Sequence, residues 1–200
     1  SGDIAQALIQ RLEGHNLILL SRSLPQPVIP EKVDILINNA GFGEFAELSN
    51  LSDEQIDEMF KVNTLDLIKR TRDLRPELQV INIASIAGKL PTAKSTVYAA
   101  SKAAVLAFSD ALRLENPNLI VTTVNTGPVR TKFHKDNVDY LEKVGENAVS
   151  AEYVADKIEQ VLGKKKREVN LPVQLAFVAK IRALFPSLVD NIGNRFFNYK

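Results

Sequence analysis

Tyr98 and Lys102 stand four residues apart in the segment YAASKAAV. On a helix that spacing puts both side chains on one face. A free tyrosine keeps its proton up to a pKa near ~10, too high for easy exchange at neutral pH. A neighbouring ammonium stabilises the phenolate and lowers that value. Bringing it to neutrality needs roughly 4 kcal/mol, within reach of one well-placed cation in a dry cleft. The pair therefore suits Tyr98 to general acid/base work. Ser85, upstream in NIASIAG, offers a hydroxyl that can hold a carbonyl oxygen beside the phenol. Alone, the pair is a weak signal. With 4 Tyr and 25 Lys plus Arg in 200 residues, chance supplies about 0.5 such pairs. A surface Tyr stacked on a Lys is the plain alternative. The order of features removes most of it: Asn38-Asn39-Ala40-Gly41 comes first, then Asn63, then Ser85, then Tyr98 and Lys102.

Four short apolar runs must position these residues. Asn16–Leu20 (NLILL), Val33–Ile37 (VDILI), Gln79–Ile83 (QVINI) and Leu119–Val124 (LIVTTV) read as strands buried on both faces, as in parallel sheets. Helices lie between them. Ile4–Leu12 places Ile4, Leu8 and Leu12 on one face. Asp53–Thr71 starts behind Ser52, an N-cap, with Gln55 completing a capping box. Ser95–Leu114 carries Tyr98 and Lys102, and Ala151–Leu162 ends at Gly163, a natural C-cap. This alternation argues for an α/β fold, a parallel sheet with helices on both faces, in one domain spanning residues 1–200.

Two places depart from that scheme. A doubly wound nucleotide fold begins with a strand feeding a Gly-rich turn, whereas this chain begins, without Met, inside or just after such a turn. Only the Pro-rich segment Leu24–Pro30 separates the run ending near Ser21 from Val33. A parallel crossover needs at least roughly ten to twelve residues. We expect the first strand and part of the second crossover to lie outside the residues given.

Taken together, these stretches resemble the short-chain dehydrogenases/reductases. The matching segments are NNAG at Asn38–Gly41, Asn63 within KVNTL, Ser85 within NIASIAG, Tyr98 within YAASKAAV, and NTGPVRT at Asn125–Thr131. The resemblance runs from Ser1 to about Asn170. It implies a Rossmann-like, doubly wound, three-layer α/β/α fold. It also implies hydride transfer between a nicotinamide cofactor and a carbonyl or secondary alcohol. In that family the Ser polarises the carbonyl and the Tyr transfers the proton. The Lys lowers the Tyr pKa and binds the nicotinamide ribose, and the Asn holds a water in a proton relay. These roles fall on Ser85, Tyr98, Lys102 and Asn63. Asn39, Ala40 and Gly41, with Pro128, the backbone of Val129 and the side chain of Thr131, are the implied cofactor contacts. The family more often has Pro where Thr126 stands.

The phosphate turn matches less well. Its glycines let a pyrophosphate approach the N-terminus of the first helix, where free N–H groups attract anions. Gly2 and Ile4 are the residues expected there, with Asp3 and Ala5 at motif glycine positions. Cofactor choice rests on Leu20-Ser21-Arg22-Ser23. An NAD enzyme usually places a carboxylate there for the ribose 2′-hydroxyl. Here Arg22 can pair with a 2′-phosphate while Ser23 or Ser21 hydrogen-bonds it, so NADP(H) is expected over NAD(H).

After Thr131 comes the segment that forms the substrate lid in this family, with Phe133 as a substrate-lining candidate beside Tyr140 and Leu141. Lys164-Lys165-Lys166-Arg167 reads as a solvated helix end. Residues 171–200 read as an apolar C-terminal extension, an amphipathic helix over Leu171–Phe185 and a second over Leu188–Phe197. Packing over the pocket or against another subunit is expected of it, in a homo-dimer or homo-tetramer, ahead of contact with a membrane surface.

Composition excludes several other classes. A net charge of +1 offers no basic footprint for nucleic acid. There is no cysteine, and His15 and His134 belong to no ligand-spaced cluster, so neither disulfides nor a metal site is expected. No apolar stretch is long enough to span a bilayer, and a cytoplasmic enzyme acting on a small, lipophilic or polar, carbonyl substrate is the reading. The alternatives are a catalytically silent nucleotide-binding relative, which would not need all four of Asn63, Ser85, Tyr98 and Lys102, and a sugar-nucleotide epimerase, whose chains are longer.

Overall fold

A computed structural model describes residues 2–21, 25, 27–131 and 148–196, the last five in backbone alone. The helices and strands expected from the apolar pattern build an α/β fold around one parallel sheet. Helix α1 (Asp3–Arg11) is followed by β1 (Ile35–Asn38), α2 (Asp53–Phe60), α3 (Asp66–Leu74) and β2 (Gln79–Ile83). Then come α4 (Thr96–Glu115), β3 (Ile120–Thr126), β4 (Val129–Arg130), β5 (Val149–Ser150), α5 (Ala151–Glu159), β6 (Glu168–Leu171), α6 (Val173–Leu184) and α7 (Pro186–Phe196). The main sheet has the order β1-β2-β3-β6, with every neighbouring pair parallel. In-register partners run Asn38↔Asn82↔Thr123↔Glu168 across it. β4 and β5 form a short parallel ribbon beside it.

Helices cover both faces. On one, α1 and α5 pack through Leu8, Leu12, Val154 and Ile158 onto Ile81, Ile83, Val124 and Val169. On the other, Leu67 of α3 and Val105 of α4 meet Ala84. β2 is buried at all five positions, as a strand covered on both faces should be. β1 is not: its burial alternates, and Ile35 and Ile37 touch the α1–α5 core from its margin.

Several expectations need correction. Residues 16–21 form no strand, and Leu17, Ile18 and Leu19 are 36%, 36% and 46% exposed. In a doubly wound sheet the second strand hydrogen-bonds to the first. No described residue supplies that first strand, so the apolar run has strand-like side chains and no backbone partner. The helix expected over Asp53–Thr71 has the anticipated Ser52/Gln55 capping box, but it is broken by a π turn at Lys61–Leu65 and continues to Leu74. α5 stops at Glu159, and Gly163 takes its left-handed φ of +67° a turn later. The basic run is therefore solvated but is no helix end. It leads into β6, whose EVNL sequence is too short and polar to stand out from pattern alone. The second C-terminal helix starts at Pro186, an N1 position that proline favours, rather than at Leu188.

Candidate active site

The carboxyl ends of the parallel strands bring the predicted residues to one edge. β1 leads into Asn39, Ala40 and Gly41, β2 into Ser85, and β3 into Gly127, Pro128 and the Val129–Thr131 segment. Such an edge is where ligands bind in open α/β sheets.

Tyr98 and Lys102 lie in the first half of α4, one turn apart. They are 8% and 4% exposed, and Lys102 Nζ stands 5.9 Å from the centre of the Tyr98 ring. That burial rules out a solvated surface pair. Lys102 Nζ donates to the carbonyl of Ile83 at 3.0 Å, which ties the ammonium to the end of the strand that delivers Ser85. Burial away from water pushes the Lys102 pKa down to about 8. Taking a cation out of water is tolerable where acceptors or developing negative charge await it, and an ammonium has three protons to give.

Ser85 caps a short 3₁₀ turn (Ile86–Gly88), accepting from the Ala87 N–H at 3.1 Å and donating to the carbonyl of Thr126 at 3.2 Å. This turn lies flat on α4. A Cβ placed on Gly88 would stand 2.9 Å from the backbone nitrogen of Ala103 and 3.0 Å from the carbonyl carbon of Lys102. A side chain there would lift the Ser85 turn off the helix that holds Tyr98 and Lys102.

Asn63 sits inside the π turn, wholly buried. Its amide is engaged on three sides. Nδ2 donates to the Phe42 carbonyl at 2.9 Å and to Ser101 Oγ at 3.0 Å, and Oδ1 accepts from the Phe42 N–H at 2.9 Å. Thr64 adds a hydrogen bond to the Ser101 carbonyl at 3.0 Å. The π turn is thus bolted to α4 on one side and to the loop after β1 on the other, and π turns of this kind recur at functional sites. Gly41 lies in that loop, exposed. A Cβ on it would sit 3.1 Å from Lys102 Nζ and 3.2 Å from Asn63 Oδ1. The missing side chain leaves a cradle over the buried ammonium.

The remaining cofactor candidates are less convergent. Val129 is buried and pairs with Val149, and Thr131 Oγ1 lies 3.4 Å from the Val129 carbonyl. Pro128 accepts from the Val149 N–H at 3.1 Å. Gly2 is the N-cap of α1, with no side-chain cap bond, and Ile4 packs its side chain against the α1–α5 core while lying in the first helical turn. Arg22, Ser23, Phe133, Tyr140 and Leu141 lie outside the described residues. Sequence reading missed Ser101, Gly88 and Phe45. Ser101 stands inside the quoted YAASK segment, and Phe45 follows NNAG in FGEF, but neither has a spacing that announces what it touches. Phe45 packs its ring on Tyr98, centroids 5.3 Å apart and planes tilted by 57°.

Known proteins resemble this chain in sequence and in fold. Residues 25–142 match the family model described as short chain dehydrogenase. The uncharacterized oxidoreductase YbbO of Escherichia coli (strain K12) is 32% identical over 173 residues, covering 77% of this chain and 64% of its own. A dehydrogenase/reductase SDR family protein 7-like from Dictyostelium discoideum is 32% identical over 180 residues, covering 82% of this chain and 56% of its own. The chain thus spans 56% to 64% of the length of these curated relatives. Two solved structures share the fold. An alcohol dehydrogenase from the archaeon Thermococcus sibiricus, complexed with 5-hydroxy-NADP, has a TM-score of 0.63 at 22% identity over 70% of this chain and 63% of that one. A short chain dehydrogenase from Burkholderia cenocepacia J2315, in complex with NADP, has a TM-score of 0.64 at 22% identity over 70% of this chain and 64% of that one. With its motifs gathered at one sheet edge and more than half its length matched by the family model, the chain belongs to the short-chain dehydrogenase family.

Proposed function

We propose that the protein is an NADP(H)-dependent oxidoreductase that interconverts a carbonyl and a secondary alcohol, with Tyr98 as general acid and base. The observation that carries the reading is the burial of Tyr98 and Lys102 together on α4, beneath the turn that begins at Ser85. The chemistry of the residues fits a nicotinamide dinucleotide. Gly41 leaves room over Lys102, whose ammonium protons suit ribose hydroxyls, and the first turn of α1 at Gly2 and Ile4 offers N–H groups for phosphate. Bound NADPH supplies the hydride.

In the reducing direction Ser85 turns its hydroxyl proton from the Thr126 carbonyl to the substrate oxygen. Tyr98 gives its phenolic proton to that oxygen as negative charge develops there, and the carbonyl becomes an alcohol. Lys102 stabilises the phenolate left behind, and a proton from solvent then restores Tyr98. With the Asn63 amide holding Phe42 and Ser101, a relay water would rest on its remaining Oδ1 lone pair or its backbone carbonyl. The preference for NADP(H) over NAD(H) rests on Arg22 and Ser23 in the sequence. The same reading takes the enzyme to be cytoplasmic and a homo-dimer or homo-tetramer. The outer face of α6, where Val173, Phe177 and Leu184 are 70%, 67% and 74% exposed, is surface that association would cover. Among the described residues no helix is long and apolar enough to cross a membrane.

The test is NADPH oxidation measured over ketones of graded chain length, with Tyr98→Phe as the blank. Wild type should turn over a subset of the series, and the variant should lose about a hundredfold or more. Equal inertness of both proteins while NADPH still binds would leave a nucleotide-binding protein without this chemistry. Equal or better kcat/KM with NADH would remove the cofactor preference alone.

A further inference from the structure

The Tyr98 ring stands in apolar surroundings. Met59, Val97 and Tyr98 form one buried apolar cluster, and Phe42, Phe45, Ile56, Phe60 and Ala87 pack against it. Phe45 lays its tilted ring against that of Tyr98, centroids 5.3 Å apart. Gly43 makes this approach feasible: a Cβ there would lie 2.9 Å from Phe45 Cζ and 3.0 Å from Tyr98 Cδ2. The loop carrying both residues is held by the double hydrogen bond between Asn63 and Phe42. Phe45 is half-buried. Phe45 thus keeps some accessible surface at the margin of the apolar cluster that holds the Tyr98 ring.

We propose that Phe45 is a specificity-determining residue, whose ring, packed on that of Tyr98, forms an apolar wall of the substrate site. The wall selects carbonyl compounds that carry an apolar, preferably flat, group on the carbonyl carbon. It rejects carbonyl compounds flanked by hydroxyls. A hydroxyl pressed against Phe45 loses its water and gains no hydrogen-bond partner, whereas an aryl or alkyl group gains contact area and an edge-to-face ring geometry. A wall that offers a desolvated hydroxyl no partner disfavours it by about ten- to a hundredfold. This inference narrows the substrate class of the oxidoreductase proposed above and rests on that reading for where substrate binds.

The experiment measures binding and turnover separately. Acetophenone and dihydroxyacetone are titrated calorimetrically into the full-length protein with and without NADP⁺, whose oxidised ring cannot reduce them. Wild type, Phe45→Ala, Phe45→Leu and Gly43→Ala are compared, with folding followed by circular dichroism. Wild type should bind acetophenone at least tenfold more tightly than dihydroxyacetone. Phe45→Ala should lose about that factor for acetophenone alone, Phe45→Leu should keep most of it, and Gly43→Ala, which pushes the ring away, should resemble Phe45→Ala. Equal binding of the two ketones by wild type, or acetophenone binding unchanged in both Phe45→Ala and Gly43→Ala, overturns the proposal. If wild type binds acetophenone tightly but does not reduce it with NADPH, the wall stands and the proton-transfer role of Tyr98 fails.

Discussion

The two faces of the sheet are built by different means. Under α1 and α5 the contacts are aliphatic: Leu8, Leu12, Val154 and Ile158 against Ile81, Ile83, Val124 and Val169. Under α3 and α4 a polar row is buried. Asn38 Nδ2 donates to Thr71 Oγ1 at 3.1 Å and to Asn82 Oδ1 at 2.9 Å, and Asn82 Nδ2 donates to Ser109 Oγ at 2.8 Å. Asn63, Ser101 and Lys102 continue this polar character to the site. The first face gains from area removed from water, which is non-directional and tolerates repacking. The second is held by hydrogen bonds that are satisfied in one geometry and costly to leave unmade. Its helices are therefore fixed in register along the strands, as the proposed proton donor and its cation would require. The aliphatic face has its own polar pin: Gln79 donates to Thr122 Oγ1 at 3.0 Å and to the Val161 carbonyl at 3.1 Å. It sits at the opposite end of the strands from the site.

If the division is real, substitutions on the two faces should separate activity from stability. Tyr98→Phe, on the polar face, should lower kcat by about 10²–10⁴-fold while the melting temperature moves by only a few degrees. A comparable collapse of both would merge the two faces. Ile158→Ala, in the aliphatic core and wholly buried, should cost about 2–5 kcal/mol of unfolding free energy in a denaturant titration. The kcat per folded molecule should hold within about twofold, as expected of a site that acts by position rather than by stability. Asn82→Ala should cost about 1–3 kcal/mol, because it strands partners on both neighbouring elements. Unlike Ile158→Ala, it should also lower kcat at temperatures where the protein stays folded.

The smallest effect concerns pH. Lys102 titrates at about 8 when folded, against an ordinary value of 10.5. Between those values the unfolded chain binds the extra proton and the folded chain does not, so stability rises with pH across that window. Below it both states are protonated, and the cost of the buried charge is fully present. The unfolding free energy of wild type relative to Lys102→Met, measured in the absence of cofactor, should therefore improve from pH 8 to pH 10.5. A flat difference would mean that Lys102 is better hydrated than its burial implies. Lys102→Met itself should melt higher than wild type at pH 7 and be inactive, a stability gain at the expense of function.

The proposed catalytic set was legible because its residue types are chemically unusual and its order is fixed. Tyr98, Lys102, Ser85 and Asn63 all fall where their motifs imply, on helix, strand end and helix. β2 was read to the residue, since a fully buried strand leaves a continuous apolar run. What pattern missed depends on contacts across the fold. Residues 16–20 have strand-like side chains and no backbone partner among the described residues, and side chains alone do not report on a partner. Nothing in KVNTL signals a π turn, because its cause is the docking of Asn63 and Thr64 onto Ser101. Phe45 is an ordinary loop aromatic until Gly43 brings it onto Tyr98.

The π turn also sets the phase of everything after it. Its wider winding holds one residue more than a straight helix would need, and each residue of an α-helix turns the chain by about 100°. Leu67 and Thr71 face the sheet only because that extra residue is present. A deletion of one residue anywhere in 61–65 would repair the helical hydrogen bonding and leave a more regular segment. It would also swing α3 about a third of a turn, carrying Thr71 away from Asn38 and the aliphatic side of Leu67 out of its core. Length is thus constrained here by geometry, in a helix where the locally better backbone is the wrong one.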